Sequence, residues 1–510
     1  MRKPGEQKTS KERSAGILMH ITSLPGPAFI GDIGPAARLF AEFLHRSNQT
    51  YWQLLPLQPV GADQGFSPYS SSSAVAGNPL LISPELLVDD GLLDQNDIIT
   101  EKEPTGKSDY RSATAYKEKL LDKAYSNWLN NSTKDDEDTF TAFSEQQAYW
   151  LTDYALYTVL KNIHNNKPWY EWPDQYRNRE TKSLDEISHA HADEISKVKW
   201  IQMIFDRQWR QLNDYCESLQ IKLIGDTPFY VAHDSADVWC NREIFAVDEK
   251  GQLTQVAGVP PDLFNDEGQL WGMPLFKWNV LKKNNYSWWI ERLKRNLDYF
   301  DIIRLDHFRA FSSYWSVPAG SANAKSGKWE TGPGKDFFDA VKNTFGNLPF
   351  IAEDLGEIDD NVYILRDELQ LPGMNVLQFA FGDDTWQSPY LPHLHTTNSL
   401  TYTGTHDNNT TRGWFRELSA AERKNISDYL GIKVTEKNIS DHLCRTAYMS
   451  VARLTIIPMQ DVLDLSTDAR MNMPATAGDN WQWRLKKELL TRNIEKKLNH
   501  WCRCFGRTRE

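Results

Sequence analysis

The sequence predicts an α/β fold, a parallel (β/α)8 TIM barrel with large inserted subdomains. Three observations carry the prediction: short apolar runs alternate with helical stretches, the runs number eight, and several of them end on a carboxylate. The runs are residues 16–21, 51–57, 221–226, 300–306, 350–353, 375–381, 399–405 and 453–459. Short apolar runs of this kind read as buried strands, and helices between them make the sheet parallel. Acids at the ends of such strands are informative, because an ionised side chain is almost never buried without a partner and a core needs none of them. In a parallel barrel those strand ends form the active-site face.

A plain barrel takes roughly 250 residues, so about half of the 510 residues must be additions. The largest, 84–199, falls between the second and third strands and is polar, with Phe143, Ala148, Leu151, Tyr154, Leu156 and Leu160 near helical spacing. It is expected to be a mostly helical subdomain over the barrel mouth. A second addition, 245–288, is rich in Gly, Pro and Trp and is expected to be an ordered, substrate-covering loop. Residues 15–510 then form a single domain behind a polar tail, 1–14. That tail lacks the apolar stretch of a secretory signal, and no run is long enough to cross a bilayer, so a cytoplasmic location is expected.

Composition narrows the function. With 57 Lys+Arg against 69 Asp+Glu, the formal charge of -12 disfavours nucleic acid and leaves a neutral partner easier to accommodate. Five scattered cysteines fit a reducing compartment, and Cys502 with Cys504 do not make a zinc site. No cluster of His and acids has metal-ligand spacing, so neither metal nor cofactor is expected. Nineteen tryptophans are the outlier. Many lie beside or near Gly, Pro, Asn or Asp, as in Trp271-Gly272 and Asn480-Trp481-Gln482-Trp483, or sit in polar surroundings like Trp329. They are expected in loops, where their flat apolar faces suit sugar rings.

Three acids stand out: Asp306, Glu353 and Asp407. Residues two apart on a strand share a face, so Arg304 and Asp306 should both point inward, where a guanidinium favours the ionised carboxylate. Glu353 follows Phe350-Ile351-Ala352 and can meet a partly apolar wall, the condition for a general acid near neutral pH. Alternation lets only one of Glu353 and Asp354 face inward and does not choose between them. Two carboxylates of unequal proton affinity are the minimum for cleaving a glycosidic bond, and a third, Asp407 beside His406, could stabilise the cationic transition state. Asp226 either supports Arg304 or touches sugar. His307 and Arg309 read as loop braces, and His20 and His233 as structural.

These residues carry a resemblance to a known family. Arg304-Leu305-Asp306-His307-Phe308-Arg309, Ala352-Glu353-Asp354-Leu355-Gly356, Gly404-Thr405-His406-Asp407-Asn408, Gly225-Asp226-Thr227-Pro228, Ser67-Pro68-Tyr69 and Gly332-Pro333-Gly334 resemble the amylomaltases, or 4-α-glucanotransferases, of glycoside hydrolase family 77 in the α-amylase clan. The resemblance implies Asp306 as nucleophile, Glu353 rather than Asp354 as general acid/base, and Asp407 as transition-state stabiliser. It also implies Asp226, Arg304 and His406 around the bound sugar, Tyr69 and Trp271 along the glucan path, and no C-terminal β-sandwich. The implied activity is retaining transfer of a segment from an α-1,4-glucan donor to the 4-hydroxyl of a glucose or maltooligosaccharide acceptor. An α-1,4-glucan hydrolase of the same clan and a catalytically silent glucan-binding protein are the alternatives. Departures from the family pattern are Leu305, Ala310, Met273, Asn409, and Ala475 and Asp479 in place of glycines.

Overall fold

The computed structural model describes residues 13–26, 28–99, 106–261, 266–356, 358–382, 385–476 and 478–509. Residues 1–12 of the expected tail, 100–105 of the first addition and 262–265 of the second lie outside them. Eight parallel strands form the barrel: β1 (Ser14–Leu18), β2 (Tyr51–Gln53), β3 (Lys222–Thr227), β4 (Ile302–Leu305), β5 (Phe350–Ala352), β6 (Gly373–Val376), β7 (Ser399–Tyr402) and β8 (Leu454–Pro458). They follow chain order around the ring, with β8 pairing back onto β1 in the register Ser14↔Leu454 to Leu18↔Pro458. Between β5 and β6 the ladder is replaced by the Ala352 N–H donating to the Pro372 carbonyl (2.9 Å). The Met374 N–H also donates to Asp354 (2.8 Å).

Each predicted run overlaps a strand, the first strand starting two residues before its run. The sixth is displaced: the strand ends at Val376, and Leu377–Ala380 forms a 3-10 turn. The turn brings the Gln378 N–H onto the Thr403 carbonyl (3.1 Å) and its side-chain amide onto the Asn409 carbonyl (3.0 Å). Buried apolar residues on both faces of β7 and β8 explain why these runs do not alternate. Gly225 is required next to Asp226, since a Cβ there would lie 2.2 Å from the Phe300 ring.

Between β2 and β3 the chain is helical, including Tyr110–Asn131, Lys134–Gln146, Ala148–Ile163 and Ala192–Ser218. The last of these runs past residue 199 and leads directly into β3, burying Trp200, Phe205 and Trp209. Thr133 and Asp136 form a reciprocal capping box that starts the second helix. Lys117, on the first, reaches Asp32 after β1 (2.7 Å) and the Ile82 carbonyl (2.5 Å), with both side chains buried.

The second addition is not a loop. Gln269–Pro274, Gln255–Val259, Ser313–Pro318 and Lys328–Thr331 form, in that order, a four-stranded antiparallel sheet. Three of its strands contain Gly or Pro, and its central pairing, of 255–259 with 313–318, joins segments more than fifty residues apart, which no local pattern announces. Trp271 and Trp329 therefore sit on strands. The expectation that the tryptophans present open faces is corrected more widely: Trp481 and Trp483 lie outside helices and strands but are buried, and Trp52, Trp169, Trp200, Trp209 and Trp289 are fully buried. The indoles bury enough apolar area to serve the core wherever the chain folds beneath another segment. Among the described residues no helix is long and apolar enough to cross a membrane.

Replacing Lys117 by Met is expected to cost ~3–5 kcal/mol in urea unfolding, because it strands the buried Asp32 charge. Pairing it with Asp32→Asn should recover much of the loss.

Candidate active site

The site is built at the C-terminal ends of the barrel strands. Register pairs Asp226 of β3 with Arg304 of β4, which puts both side chains on the inner face. Arg304 is buried, and its Nη1 donates to Asp226 Oδ1 (2.8 Å) and Oδ2 (2.9 Å) and to Asp306 Oδ1 (2.8 Å). The expected pairing of Arg304 and Asp306 is thus present, and Asp226 supports Arg304. Burial pushes the Asp226 carboxyl up while Arg304 opposes it. Burial alone would lower Arg304, but Asp226 and Asp306 together hold it well above its ordinary value. Tyr69 donates its hydroxyl to Asp226 Oδ2 (2.7 Å) and lays its ring over His406, centroids 5.0 Å apart and nearly parallel.

Asp306 follows the last strand residue and keeps 27% of its side chain accessible, in contrast to Asp226 at 0%. The chain then turns sharply: His307 takes the left-handed region, φ 51° and ψ 47°. This turn aims the His307 N–H at Glu353 Oε2 (2.7 Å), and the Leu355 N–H holds Oε1 (3.0 Å). Both oxygens of Glu353 are thereby fixed. Burial pushes its carboxyl up; Arg304 and the two N–H groups pull it down, Asp306 pushes it further up, and the balance lies at about 7. Asp354 faces the other way, onto Arg366 (2.5 Å) and the Met374 N–H.

Asp407 lies after β7. His406 Nε2 stands 3.2 Å from its Oδ2, and Asn472 Nδ2 donates to its Oδ1 (2.6 Å). Crowding by protein would raise this carboxyl, but His406, Asn472 and Arg304 outweigh it and hold it at about 2. His406 is lowered by burial and raised by Asp407, with a net rise. Trp271 reaches the same region from the small sheet, its ring edge-on to His307 at 4.9 Å.

All eight residues singled out from the sequence converge here, and Trp271 does so from a strand. Sequence reasoning missed the backbone donor of His307 and the C-terminal segment that holds Asp407. Arg470 donates to the Asp407 carbonyl (2.8 Å) and to the Asn472 carbonyl (2.7 Å), while Trp481 lies 6.0 Å from the His406 ring. Ala475 and Asp479 in this segment have φ 60° and 56°, the left-handed backbone for which glycine is the natural residue. His20 is buried and held near 3 by burial, with His406 adding to the effect. His233 bonds the Gly251 carbonyl (2.7 Å) and stacks on Tyr170. Arg309 braces the loop through Asp359 (3.0 Å). Among the described residues no group of His, Cys, Asp and Glu could hold a metal ion.

A (β/α)8 barrel with three acids at its strand ends, one pushed up to about 7 by burial and one held charged, defines a barrel enzyme of the kind that works on glycosidic bonds. The chain belongs to the 4-alpha-glucanotransferase family, glycoside hydrolase family 77, whose sequence model matches residues 19–491. It is 44% identical over 502 residues to the chloroplastic/amyloplastic 4-alpha-glucanotransferase of Solanum tuberosum, covering 97% of this chain and 86% of that one. To the 4-alpha-glucanotransferase of Thermus thermophilus it is 44% identical over 479 residues, covering 93% and 95%. Among solved structures, the amylomaltase from Streptococcus agalactiae in complex with acarbose matches with a TM-score of 0.94 at 37% identity, covering 98% of this chain and 100% of that one.

Glu353 should titrate near 7 in carboxyl-region difference infrared spectra of the wild type against Glu353→Gln. Its folded value lies above the ordinary 4.5. The stability it contributes is therefore complete below about 4.5 and lost as pH rises through 7. Wild type should lose thermal stability relative to Glu353→Gln across that window.

Proposed function

We propose that Asp306, Glu353 and Asp407 carry out a retaining double displacement that moves a segment of an α-1,4-glucan donor to the 4-hydroxyl of a glucose or maltooligosaccharide acceptor. The observation that supports it best is the pairing of a reachable, Arg304-bound Asp306 with a Glu353 clamped by two backbone N–H groups and poised at about 7. Arg304 engages Oδ1 of Asp306, which orients Oδ2 toward the substrate. That oxygen attacks the anomeric carbon as the bond to the leaving glucan breaks, and the Glu353 carboxyl gives its proton to the departing O4. The acceptor's 4-hydroxyl then loses its proton to the Glu353 carboxylate and attacks the same carbon, releasing Asp306. Two inversions leave the α configuration unchanged.

Asp407, charged at any working pH, offsets the positive charge that develops on the sugar ring, and His406 bonds a ring hydroxyl. Tyr69 and Trp271 line the path of the glucan, with Asp226 and Arg304 directly behind Asp306 at the bound sugar. Atoms and protons balance with these side chains alone. The acarbose bound to the Streptococcus agalactiae relative supports a glucan-like occupant. Scattered cysteines support a cytoplasmic setting.

Transfer and hydrolysis share the first displacement and differ in what arrives second. Maltotriose should yield glucose and longer maltooligosaccharides with no net gain of reducing ends; a steady gain would mean that water wins and the enzyme is a hydrolase. Asp306→Asn should lose activity by on the order of 10⁴-fold while keeping its fold by circular dichroism. For the donor, kcat/KM should fall as pH rises through about 7, because the first displacement needs protonated Glu353.

A further inference from the structure

The small antiparallel sheet has two unlike faces. One carries Ala257, Trp271 and Met273 and packs on the main core, with Trp271 against His307. On the other, Val256, Val317 and Ala324 form a separate apolar cluster against which Trp315 packs. Register across the four strands sets Leu270 opposite Gly258, Gly258 opposite Trp315, and Trp315 opposite Trp329. Residues directly opposite share a face, so these four make one continuous row. Its ends are exposed: Leu270 is 38% accessible and Trp329 43%. Gly258 keeps the row's middle low, because a Cβ there would meet the Gln269 carbonyl oxygen at 2.3 Å.

Trp329 is held rigidly for so exposed a residue. The Arg309 guanidinium lies 4.0 Å from its ring centroid, and the Trp315 ring meets it edge-on at 5.2 Å. Arg309 is itself fixed by Asp359 (3.0 Å). It sits three residues after Asp306, and Asp359 six after Glu353, so the platform stands one side chain from both segments that carry the acids. A preordered indole loses little entropy when a flat apolar ligand stacks on it.

We propose that the row from Leu270 to Trp329 is a second glucan-binding surface, separate from the cleft, that holds a distant stretch of a long α-1,4-glucan. The occupant follows from continuity: the same sheet presents Trp271 on its inner face against His307, the residue after Asp306, and a polymer threaded through the cleft must run on across neighbouring surface. Pyranose rings are uncharged and bring an apolar face to an indole, which fits a row that ends in two exposed apolar side chains. This inference rests on the glucan-transfer reading.

The test is electrophoresis of the full-length Glu353→Gln protein through gels containing amylopectin, with excess maltotriose present to fill the cleft. Retardation should persist, weaken about tenfold in apparent affinity on adding Trp329→Ala, and be partly restored by Trp329→Phe. In the otherwise unaltered enzyme, Trp329→Ala should lower kcat/KM for amylose relative to maltotriose by a similar factor. Unchanged retardation would overturn the proposal. So would equal losses on both substrates with a lower melting temperature, which would make Trp329 a prop for Arg309, or a changed molecular mass by light scattering, which would make the row a subunit interface. The gel reads binding without turnover, so failure of transfer on maltotriose would be recognised separately.

Discussion

One buried guanidinium governs the site. Four carboxylates gather at neighbouring strand ends, and without a positive charge among them they would repel one another and cost the barrel its register there. Arg304 meets three carboxylate oxygens through a single nitrogen, two on Asp226 and one on Asp306. Its own desolvation is offset by charge-assisted bonds that keep it protonated. The arrangement divides the labour between the two aspartates: fully enclosed Asp226 secures Arg304, and more open Asp306 is presented to the cleft. Tyr69 links this cluster to His406 and through it to Asp407, while the His307 N–H ties Glu353 to the turn that follows Asp306.

The second constraint is backbone geometry. A non-glycine residue in the left-handed region costs of order 1 kcal/mol or more, and His307 accepts that cost between the last residue of β4 and the turn that follows. In return its N–H fixes Glu353 without adding a charge beside it. Had a lysine or arginine done the same, the glutamate would be held ionised at neutral pH and unable to donate a proton. Two amide donors orient it and still leave burial dominant. Asp407 has the opposite treatment, with a histidine and an asparagine amide both favouring its charged form. Environments, not residue types, separate the two acids.

Much of this was legible in the sequence. The barrel strands are short apolar runs that the fold buries on both faces, so their pattern survives in composition alone, and the acids mark the ends of those that meet at the candidate site. Arg304 and Asp306 could be paired from strand alternation. The choice between Glu353 and Asp354 could not, because it depends on Arg366 and Met374, which approach from β6 and the helix before it. The small sheet was harder to see: its two central strands, 255–259 and 313–318, are joined by a pairing between segments far apart in the chain. Trp481 and Trp483 are loop residues, as expected, but they are buried, and only the folded chain reveals what covers them. The glycine expectation at Ala475 and Asp479 carried real conformational information, since both adopt left-handed backbone.

The central claim is that Arg304 presents Asp306 as the atom-bonding group while Glu353 manages the proton. The most direct measurement is to incubate Glu353→Gln with an α-maltosyl fluoride donor, whose leaving group needs no acid and whose product ester then lacks a base for resolution. Mass spectrometry of the digested protein should find a maltosyl adduct on Asp306. Donor consumption with no adduct, or an adduct on a different residue, would contradict it.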